Sequence, residues 1–526
     1  MKLLIKHRSF LLLLLVLILL NATTIMITPI LLNNWIEEDT ILGIKHIVGI
    51  TALLLLSYLI QILIIYFREY FARTFNVSQA LQLTDKFFGL YYDIINEKGP
   101  TYFMERISIC VNSLYTYITG GFVQMLANLI IIIAVIVLVL SFNPLLAFIL
   151  LLLLPINYFG YKLLNKELQK KSKIMQEATS SGFKDILNIS RQVDYIKQLG
   201  RRDEIYSILE EPFSRVYTSM AKVNSFAQSI SATLSSLNDL AKNFMILMLA
   251  YRVMSQGKNP LSIVLFSILL PIFFNAINGV VGANLASRDL HNSIDFINYL
   301  ENNQETNGKE VIDEICELEF KITNLSIGDR VLQKNIDYTI RKGDIVSING
   351  SSGTGKSTLL KLLPKFRTTE TVFINGLDIK DIDNESLRNN LVYMSQEVPI
   401  ITGTLRDNFT LGNLVSEEDL NKFRELPLLQ SIFLNKSMET IIDENGTNLS
   451  GGEKQKIALA RAIFSNADMY ILDEITSNID KETADEIYKY MTTVNKNKII
   501  LIISHDKMHV PYCNKSIDLQ TIANLC

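Results

Sequence analysis

The first half of the chain contains six long apolar segments, and no other feature limits its fold as strongly. Crossing a hydrocarbon core of about 30 Å takes about 20 helical residues, and each segment is that long or nearly so. Hydrocarbon offers a backbone no hydrogen-bond partner, so lipid-embedded segments of this kind are helical. The segments are Phe10–Leu32, Ile44–Tyr66, Tyr117–Leu140, Pro144–Leu164, Ser231–Met254 and Leu261–Asn284. This half is predicted to be an all-α transmembrane domain of six helices.

Basic residues beside these segments predict the orientation of the chain. They precede the first segment and follow the second and fourth, as Arg68 and Lys166 do. Because Lys and Arg are retained in the cytoplasm, we expect both termini and the long loops 67–116 and 165–230 there. A cleaved signal peptide is the alternative for the first segment, but its apolar stretch continues to Leu32, beyond a usual signal core of about 7–15 residues. We therefore expect a multi-pass protein of the cell membrane, in contact with lipid.

The two cytoplasmic loops are too periodic to be disordered. In the second loop, apolar residues from Tyr195 to Ile208 keep helical spacing among charges. We expect helices that extend below the membrane, and Gly99-Pro100 predicts the turn in the first loop.

The fifth segment carries charge at membrane depth. Counting back from Gly257 at 1.5 Å per residue places Asp239 about 27 Å down, near the inner edge of the hydrocarbon. An ionised group there costs about 2.5–3.5 kcal/mol unless it is paired or faces water. Lys242 lies three residues on and can pair with Asp239. Two interpretations stay open: a water-filled cavity that handles substrate, or a helix that leaves the membrane early.

Charge and cysteine content give no sign of other classes of protein. The formal net charge of −3 gives no reason to expect nucleic acid. The cysteines Cys110, Cys316, Cys513 and Cys526 show no metal-ligand spacing and are predicted to be free thiols.

The second half alternates short strands with helices, as an α/β domain does. We expect a transmembrane domain over residues 1–300, a linker over 301–316 and this α/β domain over 317–526. Ligands of such domains bind at the carboxyl ends of the strands. The predicted strands are Leu318–Ile322, Ile336–Ile340, Ile345–Ile348, Thr371–Ile374, Leu391–Ser395, Met469–Leu472 and Ile499–Ile503, with a turn at Asn375-Gly376.

A glycine-rich loop follows the strand Ile345–Ile348 and leads into a helix from Thr358. Its sequence is Gly350-Ser351-Ser352-Gly353-Thr354-Gly355-Lys356-Ser357. Glycines let successive N–H groups point at phosphate oxygens, at a helix N-terminus that already favours anions. In the pattern G-x-x-x-x-G-K-[ST], Lys356 reaches the β/γ-phosphates and the Ser357 hydroxyl can ligate Mg²⁺. The alternative is a Gly/Ser turn followed by an unrelated lysine. The polar residues at the ends of the other predicted strands argue against this alternative.

Polar residues follow three of the apolar runs. After Met469–Leu472 come Asp473, suited to hold Mg²⁺ through water, and Glu474, suited to orient or deprotonate the attacking water. His505 follows another run and is suited to bond the γ-phosphate, while Gln396 is suited to sense metal and water. A single polar residue in such a position is more often structural, but the four residues together favour a catalytic site.

A second phosphate-binding feature is the small-residue helix start Leu449-Ser450-Gly451-Gly452-Glu453. Free N–H groups at such a start can bind phosphate. One chain offers no obvious way for this feature to meet its own phosphate loop.

These motifs occur in the order of the ATP-binding cassette, and the whole chain resembles an ABC exporter half-transporter of the bacterial peptide or multidrug type. The resemblance implies ATP and Mg²⁺ as cofactors, with Ser450 and Gly452 on the ATP of a partner subunit and Asp480 at the dimer seam. The nucleotide-binding residues it implies are Gly350, Ser351, Ser352, Gly353, Thr354, Gly355, Lys356, Ser357, Thr358, Ser450, Gly451, Gly452 and Asp480; the metal-binding residues are Ser357, Gln396 and Asp473; the catalytic residues are Glu474, His505 and Gln396.

The family's mechanism implies a function. Two chains sandwich two ATP molecules, and a homodimer is preferred to a heterodimer because Glu474 and the family's signature, Leu449–Glu453, are both intact. The expected activity is ATP-driven export of a peptide or amphipathic compound. A lipid flippase of the same mechanism and an ATP-gated sensor without transport are the alternatives.

The chain departs from the family pattern in two motif positions. Ile327 stands where an aromatic usually stacks on adenine, which leaves nucleotide selectivity open. Glu453 ends the signature where Gln is common. We also expect shortened terminal helices after His505 and no peptidase domain before the first membrane helix.

Overall fold

The structure, a computed structural model, describes residues 7–37, 43–199, 203–256, 261–327, 330–367, 371–411, 413, 415–476, 479–504 and 507–519. The chain divides into two compact units. One comprises Met1–Leu90 and Ile94–Gln304, and the other comprises Tyr91–Asp93 and Glu305–Cys526.

Helices make up the first unit over its described residues. They are α1 (Arg8–Glu37), α2 (Ile44–Phe88), α3 (Tyr92–Lys98, whose first two residues group with the second unit), α4 (Pro100–Thr116), a π-helix (Tyr117–Phe122), α5 (Val123–Phe142), α6 (Pro144–Ser190), α7 (Val193–Gln198), α8 (Asp203–Gln256) and α9 (Leu261–Asn302). Each predicted membrane segment lies in a helix. The predicted turn at Gly99-Pro100 is confirmed, because Gly99 has a φ of 84° and α4 begins at Pro100.

Several of these helices have the length and composition of membrane spans. Among the described residues, the stretches that qualify are Arg8–Thr28, Ile44–Phe88, Pro100–Ser141 and Leu265–Ala283, with Pro144–Gly160 a shorter apolar stretch. The helix α8 is too polar to be one of them. Apolar side chains such as Leu55, Leu152 and Leu247 are 56–68% exposed in the isolated chain, as lipid-facing residues are.

One turn of α8 carries polar side chains on a buried and on an exposed side. Asn238 is 3% exposed and exchanges two amide hydrogen bonds, both 3.1 Å, with Asn157 of α6. The predicted pair of Asp239 and Lys242 is present, with 2.6 Å between the carboxylate oxygen and the ammonium. This ion pair lowers the cost of charge whether it meets cavity water or the membrane edge.

The second unit is built on a parallel sheet of five strands in the order β11-β3-β10-β9-β6. An antiparallel sheet has the order β2-β1-β4-β5, and β7 pairs with β8. The strands are β1 (Glu317–Ile327), β2 (Arg330–Arg341), β3 (Ile345–Asn349), β4 (Val372–Ile374), β5 (Leu377–Asp378), β6 (Leu391–Met394), β7 (Gly403–Thr404), β8 (Ile441–Ile442), β9 (Met469–Asp473), β10 (Ile499–Ile503) and β11 (Lys515–Asp518).

Short helices and turns connect these strands. The α-helices are α10 (Lys356–Leu360), α11 (Asn384–Asn389), α12 (Leu405–Thr410), α13 (Glu417–Arg424), α14 (Pro427–Phe433), α15 (Gly451–Ser465) and α16 (Lys481–Val494), and the 3₁₀-helices are Glu444–Gly446 and Val510–Tyr512. The predicted turn joins β4 to β5, where Asn375 and Gly376 have φ values of 52° and 79°. Positive φ at both residues is the type I′ geometry that Asn-Gly favours.

The central strands β9 and β10 are buried along their whole length. Strands buried on both faces are continuous apolar runs, which is why the sequence showed no alternation there. Over the described residues, Cys110, Cys316 and Cys513 are free thiols as predicted, and Cys526 lies outside the described residues.

Candidate nucleotide site

The order of the parallel sheet brings the predicted motifs to one edge. The strands β3, β10, β9 and β6 are neighbours and run in the same direction. Their carboxyl ends therefore lie side by side. The glycine-rich loop follows β3, Asp473 ends β9 and Gln396 follows β6, while Ser504 follows β10. The predicted residue His505 lies outside the described residues, as does the side chain of Ile327.

The glycine-rich loop has a backbone that only glycine adopts easily. Gly350, Gly353 and Gly355 have φ values of 152°, 83° and 92°. A Cβ on Gly350 would lie 2.7 Å from Thr354 Oγ1 and 2.8 Å from the carbonyl oxygen of Leu519, closer than real Cβ contacts. The φ values therefore explain all three glycines, and the close packing is a further reason for glycine at position 350.

Lys356 begins α10 and is only 7% exposed. Its ammonium folds back on the loop and donates to the carbonyl oxygens of Gly350, at 2.8 Å, and Ser351, at 3.1 Å. The positive charge is therefore held inside the loop. An anion there gains both this charge and the positive end of a helix.

Asp473 accepts a hydrogen bond on each carboxylate oxygen. The Ser357 hydroxyl donates to Oδ1 at 3.1 Å, and the Tyr393 hydroxyl donates to Oδ2 at 2.5 Å. Ser357 and Asp473 thus present adjacent oxygen atoms beside the phosphate loop that could serve as metal ligands. Mg²⁺ favours such a site, because it binds through one or two protein oxygens together with phosphate oxygens and water. The described residues contain no group of three or more His, Cys, Asp or Glu that could hold a metal without a substrate.

Tyr393 is a part of the site that the sequence did not indicate. Burial, and then the hydrogen bond to Asp473, raise the pKa of Tyr393 well above its ordinary value, so the phenol stays protonated and donates. Its ring meets Phe366 edge-on, with centroids 6.0 Å apart. The only signal was an aromatic residue in the strand that leads to Gln396.

Glu474 lies directly after β9 in a strained conformation. Its φ is 55°, in the left-handed region, and its N–H donates to the carbonyl of Ile503 at 2.9 Å. This conformation costs a non-glycine residue about 1–2 kcal/mol. Strain of this kind is often found at functional sites, where the surrounding structure enforces it.

The segment around Gln396 is tied to α15 by two side chains of that helix. Gln455 donates to the Gln396 carbonyl at 3.3 Å. Arg461 donates to the carbonyls of Pro399 and Asn408, each at 2.6 Å. Burial lowers the pKa of Arg461 to about 10, which still leaves it charged at neutral pH. No sequence pattern indicated either contact.

The predicted signature begins α15 with a cap at Ser450. The Ser450 hydroxyl accepts from the N–H of Glu453 at 3.2 Å. Gly451 and Gly452 are the first two helical residues, whose N–H groups have no partner within a helix. Asp480 caps α16 and accepts from the N–H of Thr483 at 2.9 Å, and this bond lowers the pKa of Asp480. The two motifs thus lie at the starts of two helices.

A phosphate loop after β3, paired oxygen donors at Ser357 and Asp473 and a carboxylate after β9 define an ATP-binding cassette of the P-loop NTPase class. Comparison with known protein families agrees with this assignment. The ABC transporter family matches residues 333–477, and the ABC transporter transmembrane region matches residues 11–277, about half of the chain. The chain belongs to the ABC transporter family. It joins one transmembrane region to one ATP-binding domain, as exporter half-transporters do, and it is a membrane protein.

Two curated relatives are similar over about two fifths of this chain. The alpha-hemolysin translocation ATP-binding protein HlyB of Escherichia coli O157:H7 is 36% identical over 222 residues, which are 41% of this chain and 31% of HlyB. An ATP-dependent lipid A-core flippase of Syntrophus aciditrophicus is 35% identical over 205 residues, 37% of this chain and 34% of the flippase. The matched part spans about a third of the length of such curated relatives.

A solved structure shares the fold over the whole chain. The ATP-bound structure of a bacterial Atm1-family ABC exporter aligns with 99% of this chain and 95% of that chain, with a TM-score of 0.83 and 17% identity. This likeness confirms the predicted fold class, a helical transmembrane domain followed by an α/β nucleotide-binding domain.

Proposed function

We propose that two copies of this chain form a homodimer that hydrolyses ATP to export a peptide or an amphipathic compound from the cytoplasm. The observation that carries the proposal is the arrangement of Ser357, Asp473 and Glu474 at the edge where the phosphate loop ends. A heterodimer with a related chain is the alternative. Residues 1–300 are the transmembrane domain, 301–316 the linker and 317–526 the nucleotide-binding domain of this proposal.

Each residue of the site has a defined task. The loop N–H groups and Lys356 bind the β/γ-phosphates of ATP. Ser357 and Asp473, with Gln396, hold Mg²⁺, which when bound offsets the negative charge of the phosphates. Glu474 accepts a proton from the attacking water, a role for which its position one residue beyond Asp473 suits it. His505 contacts the γ-phosphate in this proposal.

The signature acts on the other subunit. The N–H groups of Gly451 and Gly452, with Ser450, bind the ATP held by the partner's phosphate loop, and Asp480 lies at the seam. ATP then bridges two surfaces, and loss of its γ-phosphate separates them. This motion drives the membrane helices, while both termini and the nucleotide-binding domain stay in the cytoplasm.

The cargo is the least determined part of the proposal. The names of two relatives point to different cargoes, since one is named for alpha-hemolysin translocation and the other for flipping lipid A-core. The ion pair of Asp239 and Lys242 in α8 favours an amphipathic cargo over a purely apolar one. A lipid flippase of the same mechanism is the second candidate, and an ATP-gated sensor without transport is the third.

Transport in liposomes tests the proposal. Purified protein should hydrolyse ATP, a cargo should stimulate the hydrolysis, and Glu474→Gln should lose both hydrolysis and transport. Transport that continues unchanged in Glu474→Gln would contradict the proposal. Slow hydrolysis with no vectorial flux for peptides, amphipathic compounds or labelled lipids would favour the sensor.

A further inference from the structure

Glu453 holds the start of α15 in shape. It is the third residue of the helix, and its Oε2 accepts from the N–H of Ser450 at 2.7 Å. In return, the Ser450 hydroxyl accepts from the N–H of Glu453. This reciprocal capping box satisfies two backbone donors inside the chain. The N–H groups of Gly451 and Gly452 between them are left for a ligand.

Lys436 supports this carboxylate from outside the helix. Its ammonium lies 2.6 Å from Glu453 Oε1, and the two side chains are only 17% and 18% exposed. Burial disfavours the charged carboxylate, but the bonds from Lys436 and Ser450 outweigh it and hold the pKa of Glu453 below its ordinary value. Glu453 is thus ionised at neutral pH, and one oxygen serves the cap while the other serves the lysine.

An ionised residue at this position has an electrostatic cost. The start of α15 is suited to phosphate because it is positive, and an unpaired carboxylate in the same turn repels phosphate. Little water separates the charges in a partly buried site, so the repulsion is only weakly screened. Lys436 removes most of this cost by bringing an opposite charge to the same carboxylate.

We propose that Lys436 is a positioning residue of the ATP grip: it neutralises and orients Glu453, so that Ser450, Gly451 and Gly452 stay shaped for the phosphates of the partner subunit's ATP. The inference rests on the proposed two-subunit ATP sandwich. A glutamine at position 453 keeps the bond to the Ser450 N–H but carries no charge. Lys436 is therefore needed because Glu453 is ionised, and Glu453→Gln removes the need.

The test is ATP trapping by the full-length protein in nanodiscs, in a Glu474→Gln background that stops hydrolysis. Retained radiolabelled ATP is measured against ATP concentration. Lys436→Met should raise the half-saturating ATP concentration about tenfold, because the unpaired carboxylate of Glu453 repels phosphate. The double variant Lys436→Met/Glu453→Gln should trap ATP like the Glu474→Gln parent. The exposed Lys489→Met should stay within about twofold of the parent, because it removes only a solvated charge.

The outcomes separate the two ideas. Failure of the Glu474→Gln parent to trap ATP contradicts the proposed function itself. If the parent traps ATP, the inference about Lys436 is overturned by unchanged trapping in Lys436→Met or by a double variant that remains defective. Binding of a fluorescent ATP analogue without Mg²⁺ reports the phosphate loop alone and should be equal in all variants.

Discussion

The cassette site and the polar turn of α8 place polar groups in low-dielectric surroundings in different ways. In the cassette, Asp473 stands at the end of a buried strand, and two residues from other elements fill both of its oxygens. In α8, Asn238 bonds Asn157 of α6, and Asp239 bonds Lys242 of its own helix. A sheet fixes which residues are neighbours, whereas helix packing leaves neighbours to side-chain shape. The cassette site therefore places particular side chains for one reaction, whereas the polar turn of α8 only makes its surroundings polar.

The sharpest test of this contrast is the carboxylate after β9. Glu474→Gln should lower the rate of phosphate release by about 10²–10⁴-fold, the usual contribution of a general base. ATP binding should persist, because the amide keeps the size of the side chain. Glu486→Gln, an exposed change in α16, is the matched control. A residual rate within tenfold of the wild type would remove Glu474 from the chemistry.

The next largest effect is expected at the phosphate loop. Gly350→Ala forces a Cβ against Thr354 and Leu519 at a φ of 152° and should cost about 3 kcal/mol, with loss of ATP binding. Thermal unfolding and ATP titration measure the two effects. Gly49→Ala in α2 meets no atom within 4 Å and should leave both unchanged. Equal behaviour of the two variants would contradict the strained geometry of the loop.

Tyr393→Phe should weaken Mg²⁺ binding without unfolding the domain. The loss of one hydrogen bond to a charged carboxylate is worth about 1.5 kcal/mol, or roughly a tenfold higher half-saturating Mg²⁺ concentration. The measurement is thermal stabilisation by ATP at varied Mg²⁺. Tyr490→Phe, a half-buried tyrosine of α16, is the control. An unchanged Mg²⁺ dependence would show that Tyr393 only fills space.

The buried amide pair of the first unit should have a smaller effect. Asn157→Leu leaves Asn238 without its partner and should cost about 1 kcal/mol, since such bonds in membranes average about 0.6 kcal/mol and reach about 1.7. Thermal unfolding in detergent measures this. The double variant Asn157→Leu/Asn238→Leu should recover part of the loss, because it leaves no amide unpaired. A double variant worse than both single variants would argue against the pairing.

The smallest effect on stability is expected for Asp239→Asn. An ion pair with one largely exposed member contributes at most about 1 kcal/mol. The informative measurement is cargo-stimulated hydrolysis compared with basal hydrolysis. A change in stimulation with basal hydrolysis unchanged supports a substrate cavity, and no change in either supports a helix that leaves the membrane early.

Much of the fold could be predicted because it depends on local patterns. The length of the apolar segments predicted the membrane helices. The glycine-rich loop and the apolar run before Asp473 predicted two parts of the nucleotide site. Tyr393, Lys436 and Arg461 were not predicted, because each acts on a residue 17 to 80 positions away or on a backbone carbonyl elsewhere. Such contacts depend on sheet order and helix packing, which no short motif encodes. The sequence likewise showed that α8 is polar near Asp239, but Asn157, the partner of Asn238, was found only in the packed structure.

The π-helix at Tyr117–Phe122 has a consequence for how the third membrane segment deforms. A π-turn contains one residue more than an α-turn, so its hydrogen bonds span a wider ring and are less regular. A helix with such a widened turn bends and twists at that turn more easily than elsewhere along its length. The long helical stretch from Pro100 to Phe142 is thus hinged nearly halfway along, and its two arms can turn relative to each other without breaking the helix.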